Sequence, residues 1–140
     1  MSLPRDLATI VLQWVARAEN DYLNAEYVIT MKDACPYDTV AFHAHQCAEK
    51  YIKCLMLCYG LQTPRTHDLV ALVNVGKQVL PPEVKAELVQ PLNRYAIESR
   101  YPGDWEPIEG DEARNALATT AIIRNAIRRE LARFLPMPLS

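Results

Sequence analysis

The sequence is short of glycine, with 4 in 140 residues. It shows no strand-like alternation and no internal repeat, which argues against sheet and solenoid architectures. No apolar run approaches the ~18 residues that mark a membrane span. The N-terminal MSLPRDLATI lacks the apolar core and cleavage site of a secretory signal. A cytoplasmic protein with no membrane contact is therefore expected. The chain also lacks an excess of either charge: 15 Lys and Arg against 17 Asp and Glu leave a net of -2. Bulk charge does not mark a nucleic-acid binder, and any basic patch must be local. Finally, no CxxC pair is present. Of Cys35, Cys47, Cys54 and Cys58, three fall on one periodic segment, where a disulfide between Cys54 and Cys58 fits poorly. His43 and Cys47, four apart, are a conceivable zinc pair. Buried helical cysteine acting as a small hydrophobe is the preferred reading, so no metal and no cofactor are expected.

What the chain does have is apolar periodicity. Half its residues are apolar and 23% are charged, enough for a real core in a single domain spanning 1–140. Ten prolines divide the periodic segments. The first helix is predicted from about Pro4 to Met31, with the stripe Leu7, Val11, Trp14, Ala18, Asp21, Ala25 and Val28. The second is predicted from Asp38, as N-cap, to Tyr59, with Gly60 as its stop. Thr66 is a candidate cap for a third helix, Asp68 to about Leu80. Pro81-Pro82 is read as the start of a fourth, which Pro91 must interrupt. The fifth is predicted from Asp111 to Leu135. Its core stripe is Ala113, Ala116, Thr120, Ile123, Ile127, Leu131 and Phe134, and its solvated face is expected to carry Arg124, Arg128, Arg129 and Arg133. The fold class is an all-α, antiparallel up-down bundle of four to five helices.

One stretch, HAHQCAEKYIKCLMLCYG, breaks the simple pattern. Beside its apolar stripe of Ala44, Ala48, Ile52, Leu55 and Tyr59 runs a second stripe with Gln46, Glu49 and Lys53. Two readings stand. The row either pairs with Asp21 and with Arg94 or Arg100 on other helices, fixing register as a satisfied polar network, or it lines a cleft in which Lys50 or Lys53 meets phosphate. His67 lies beside a helix N-terminus, a place that suits an anion, with Arg65 two residues before it. Arg100 and Tyr101 precede a proline that holds the chain extended, and Arg100 is read as a phosphate ligand or as a clamp on Glu49. His43 and His45, two apart, point to different faces and are read as exposed or capping residues. The acidic run Asp104, Glu106, Glu109, Asp111 and Glu112 is read as solvated charge.

Four segments in order, WVARAENDYLNA, QCAEKYIKCLM, GLQTPRTHDLVAL and ESRYPGDW, resemble the HEPN domain family, the higher-eukaryote and prokaryote nucleotide-binding domain. The resemblance runs from about Arg5 to Leu135. It implies a helical bundle that forms a homodimer, binds a nucleotide or RNA phosphate, and works beside a minimal nucleotidyltransferase, in some pairs as toxin and antitoxin. It places Lys50, Lys53, Arg65, His67 and Arg100 as candidate phosphate ligands, with Asp21, Gln46 and Glu49 as their polar network. Several branches of the family are metal-independent ribonucleases that use an Arg, four to six variable residues, and then a His. That motif is absent. No arginine precedes His43 or His45 at the required distance, His67 follows Arg65 at two, and YPGDWEP follows Arg100 without a histidine. His67 is the candidate catalytic residue if cleavage occurs by a non-standard motif. The alternative to both is a purely structural homodimerisation module.

Overall fold

The structure, a computed structural model, describes residues 2–97 and 106–136. Among them are α1 (Arg5–Val28), α2 (Tyr37–Cys58), α3 (Leu69–Gly76), α4 (Ala86–Val89), a 3-10 helix (Gln90–Tyr95) and α5 (Gly110–Leu131). None of these helices is long and apolar enough to cross a membrane.

The long helices α1 and α5 both pack along α2, and α3 and the 3-10 helix close its remaining side. The direction of each helix can be read from its links to α2. The Cys54 thiol reaches the Val11 carbonyl and the Asp21 carboxylate reaches His43, so α1 and α2 run antiparallel. Thr120 donates to the Ala44 carbonyl at 2.8 Å, and Arg128 donates to the Tyr51 hydroxyl at 3.1 Å. Both numbers rise together, so α5 runs parallel to α2, as the second and fourth members of an up-down bundle must. The short helices fill the third position.

The predicted stripes are the ones that pack, except that Tyr59, expected to close the α2 stripe, is 37% exposed. Val11, Ala18, Asp21 and Ala25 of α1 are buried, and so are all seven residues of the stripe predicted for the fifth helix, six in α5 and Phe134 just beyond it. α2 is buried almost all round, with Tyr51, Ile52, Leu55 and Met56 inaccessible, because helices cover it on three sides. Its cysteines are buried thiols. Burial pushes Cys47 and Cys54 well above the usual thiol range and Cys58 up to about 11, so they behave as hydrophobes at neutral pH.

Several boundaries differ from the expected ones. α2 begins after Pro36 and has no side-chain cap, and Asp38 lies inside its first turn. Gly60 ends it, as expected, with φ 75. Asp68 caps α3, accepting from the Val70 and Ala71 amides, while Thr66 accepts the amide of Asp68 one step upstream. Pro81-Pro82 does not start a helix. A proline forces the residue before it out of the helical region, so the pair forms a turn closed by Val84 N–H on the Pro81 carbonyl, and α4 begins at Ala86. Pro91 then sits in the first turn of the 3-10 helix, where its missing N–H costs nothing.

Packing around α2 makes a direct prediction. Leu55→Ala leaves a cavity in the centre of the bundle and is expected to lower unfolding free energy by about 2–5 kcal/mol. Ile122→Ala, at a site 47% exposed on α5, is expected to change it by less than about 0.5 kcal/mol. Urea denaturation of the two variants measures both, and equal losses would contradict the hub role of α2.

Candidate functional site: a polar groove along α2

The accessible strip of α2 is narrow. Phe42, His43, Gln46, Lys50, Lys53 and Leu57 are each half-buried, while the positions between them are buried. α1 borders this strip on one side and the loop of residues 61–68 on the other. The groove is built around two buried carboxylates. Asp21 of α1 divides its oxygens between His43 Nδ1 at 2.7 Å and Lys50 Nζ. Glu49 of α2 does the same with His67 Nδ1 at 2.7 Å and Lys53 Nζ at 3.1 Å. The Asp21 and Glu49 side chains are 10% and 6% exposed. In both clusters a carboxylate holds one histidine and one lysine. Each imidazole is bound through Nδ1, which leaves Nε2 for another partner.

Burial alone would raise the pKa of Asp21, but the hydrogen bonds from His43 and Lys50 outweigh it and hold the carboxyl below the usual carboxylate range. Asp21 is therefore ionised across the physiological range.

Behind the strip sits His45, fully buried. Its Nε2 donates to the His67 carbonyl at 2.8 Å, and its Nδ1 accepts from Gln46 Nε2 at 3.2 Å. Both ring nitrogens are used by a neutral imidazole in one tautomer. Burial lowers its pKa, only partly opposed by the bond to His67. The expectation that His43 and His45 are exposed or capping residues is thus corrected: His43 is an ion-pair partner and His45 is a core residue that anchors the loop.

On the far side of α1 a second network joins α1, α2 and α5. Glu19 accepts a two-pronged pair from Arg124, at 2.7 Å from Nε and 2.6 Å from Nη2, and also the Tyr51 hydroxyl. Arg128 lies 3.7 Å from the same carboxylate. Arg124 also stacks on the Tyr22 ring, 4.6 Å from its centroid. Burial raises the Glu19 pKa, and Arg124, Tyr51 and Arg128 together more than reverse it. The solvated arginine face expected for α5 is therefore only partly solvated. Arg129 and Arg133 are exposed, but Arg128 is 7% exposed. Arg124 and Arg128 follow the core residues Ile123 and Ile127 by one position. This is the same flanking position that singled out Glu49 and Lys53 on α2, and it was a usable signal.

The remaining sequence candidates separate. Arg65 is exposed, and neither it nor Arg17 makes a hydrogen bond or ion pair among the described residues. Arg100 lies outside the described residues, as do Tyr101, Pro102 and Asp104. Arg94 pairs with Glu112 rather than with the groove, and Tyr95 donates to Glu112 at 2.5 Å, so this carboxylate of the acidic run is not free solvated charge. The N-terminus of α3 is already occupied. The Leu69 amide goes to Asn93 Oδ1 at 2.8 Å, and the next two amides go to Asp68, itself an anion. The backbone donors expected to receive a phosphate there are satisfied internally, so any anion in this region must be held by side chains.

Comparison with known proteins adds the following. The family model described as HEPN domain matches residues 11–130. Two solved structures share the fold over 86% of this chain at 24% identity. An archaeal HEPN homologue, ST0689, has a TM-score of 0.69 with 97% of its own chain covered. TT1696 from Thermus thermophilus has a TM-score of 0.68 with 98% covered. Among the curated proteins none matches.

Two pH dependences follow from this geometry. His45 has a folded pKa below its unfolded value of about 6.5, so its contribution to stability is complete above that pH and is lost as pH falls through it. The melting temperature of the wild type is expected to fall between pH 7.5 and 5.5 more steeply than that of His45→Gln, whose amide keeps a donor for the His67 carbonyl. Parallel curves would contradict the buried neutral His45. Glu19 and Asp21 have depressed folded values, so their stabilisation is complete above about pH 5 and is lost as pH drops below the unfolded values near 4. Glu19→Gln is expected to be less stable at pH 7 and to show a shallower loss from pH 5 to 3, read by thermal unfolding.

Proposed function

The chain belongs to the HEPN domain family, and on that basis we propose that it binds the phosphate of a nucleotide or of RNA in the groove along α2. We place it as a homodimer that works beside a minimal nucleotidyltransferase, in the manner of toxin–antitoxin pairs. The observation that carries this reading is the pair of buried carboxylates holding Lys50 and Lys53 at the accessible edge of α2, each with a histidine whose Nε2 is left over. A lysine ammonium has three donors, and its carboxylate uses one. The others are already oriented, so an anion arriving at the groove meets donors that have lost much of their side-chain freedom beforehand. Arg65 is assigned to the rim of this site, with His67 as a ligand and Arg100 as a further candidate.

One observation favours a second reading, metal-independent ribonuclease. His43 and His67 are both carboxylate-backed imidazoles with Nε2 available, the arrangement that orients a general base or acid. In that reading one imidazole takes the proton of the attacking 2′-hydroxyl and the other protonates the leaving 5′-oxygen.

Thermal unfolding with ATP, GTP or a short single-stranded RNA tests the binding reading, because a ligand that binds only the folded state must raise the melting temperature. Lys50→Ala and Lys53→Ala are expected to reduce the shift. No shift with any of these ligands would leave the groove a structural network and the protein a dimerisation module. Cleavage of RNA in excess chelator, abolished by His67→Ala or His43→Ala, would support the ribonuclease reading. Light scattering is expected to give about twice the 15.9 kDa chain mass.

A further inference from the structure

Next to Lys50 the groove opens into a cleft of about 380 Å³ lined by Gln13, Trp14, Arg17 and Lys50, a volume within the range of small-ligand sites. Its wall is one face of α1: Gln13 and Arg17 are four apart and Trp14 and Arg17 are three apart, so the three side chains are neighbours. Lys50 faces them from α2. We infer that this cleft is a nucleobase subsite, in which the unpaired base of a nucleotide stacks on Trp14 while its phosphate lies between Arg17 and Lys50.

Three features support this. Trp14 is only half-buried although the core packs against it, so part of a large apolar ring remains open in a site whose other groups are polar. Arg17 has no hydrogen-bond or ion-pair partner among the described residues. Its charge is therefore not already spent, unlike that of Lys50, which Asp21 holds in place. Gln13 presents both a donor and an acceptor to a base edge. An indole with an unpaired guanidinium and a positioned ammonium is the combination by which unpaired nucleotides are held, with stacking for the base and charge for the backbone. Inorganic phosphate would use only half of it.

This inference rests on the phosphate-binding reading above and narrows its ligand to a nucleotide with an accessible base. Trp14 and Trp105 are the two tryptophans of the sequence, so Trp105→Phe leaves Trp14 as the sole reporter. In that background AMP is expected to quench the emission saturably, while ribose 5-phosphate and inorganic phosphate bind, as read by melting temperature, without quenching. Trp14→Leu is expected to weaken AMP by about 5- to 150-fold and to leave phosphate affinity within about twofold. Arg17→Ala is expected to weaken both. If AMP and phosphate raise the melting temperature equally and AMP does not quench, the groove binds anions but the base subsite is wrong, and a second copy of the chain covering Trp14 would give that result. If none of the ligands changes the melting temperature, the phosphate-binding reading fails and the subsite fails with it. The quenching readout needs no substitution at Trp14, so the test stands even where Trp14→Leu does not fold.

Discussion

A carboxylate taken out of water must be paired on both oxygens, and that requirement organises this bundle. Isolated burial of such a charge costs far more than the stability of a small domain. Glu19, Asp21 and Glu49 are each brought against α2 or placed on it, and each meets two or more partners. Hydrophobic stripes bring α1, α2 and α5 together but tolerate sliding by a turn. The carboxylates of α1 do not, since a shift of one turn, about 5.4 Å, would separate Asp21 from His43 and Lys50 and Glu19 from Arg124 and Tyr51. Register is therefore set by charge and affinity of packing by apolar area.

The same requirement shapes the loop of residues 61–68. Beyond Leu61, whose amide closes the end of α2 on the Met56 carbonyl, this segment is tied to α2 through the His67 side chain on Glu49 and through the His67 carbonyl on His45. Asp68 then caps α3, and Asn93 joins the cap to the 3-10 helix. A chain of polar contacts thus runs from the centre of α2 to the start of α3 and on to the returning 3-10 helix. α4, a single turn of helix, keeps its place through Val89, which is fully buried in the core, and through the 3-10 helix that continues it.

The long helices were legible because their signal is repeated. Five to seven positions at spacings of three and four define each stripe, and a single misjudged residue does not move it. The polar row on α2 was legible for the same reason, since Glu49 and Lys53 sit beside an apolar stripe on a helix too hydrophobic to face water. The partners of the row were not legible. Whether Asp21 meets an arginine, a histidine or a lysine depends on the rotation of α1 against α2, and periodicity leaves several residues within reach. That is why Asp21 meets Lys50 and His43 rather than the expected row of Gln46, Glu49 and Lys53, and why Glu49 meets His67 where Arg94 was expected. Arg128 was misread for a different reason: arginine near a helix C-terminus has a good local explanation in the dipole, and the local explanation hid the tertiary one. His45 was missed because a buried histidine needs a carbonyl from a distant loop, which no local pattern reports.

The charge balance of the groove bears on what it can hold. Lys50 and Lys53 are cancelled by Asp21 and Glu49, so the lysines and carboxylates on the floor of the groove carry no net charge although they are crowded. Attraction for an anion must then come from the rim, where Arg17 and Arg65 carry charge that nothing among the described residues offsets. A neutral floor with positive edges has a physical advantage over a cluster of bare cations. Unpaired lysines packed side by side would repel one another and open the helix contact, whereas lysines held by buried carboxylates keep the bundle closed and still present oriented donors. In the proposed phosphate-binding role the carboxylates would also act as a filter. A small anion that enters deeply meets Asp21 and Glu49 at close range, while a larger ligand that spans floor and rim keeps its charge near the arginines and uses the lysines through their outward hydrogens. Size and shape, rather than charge alone, then decide which ligands fit the groove.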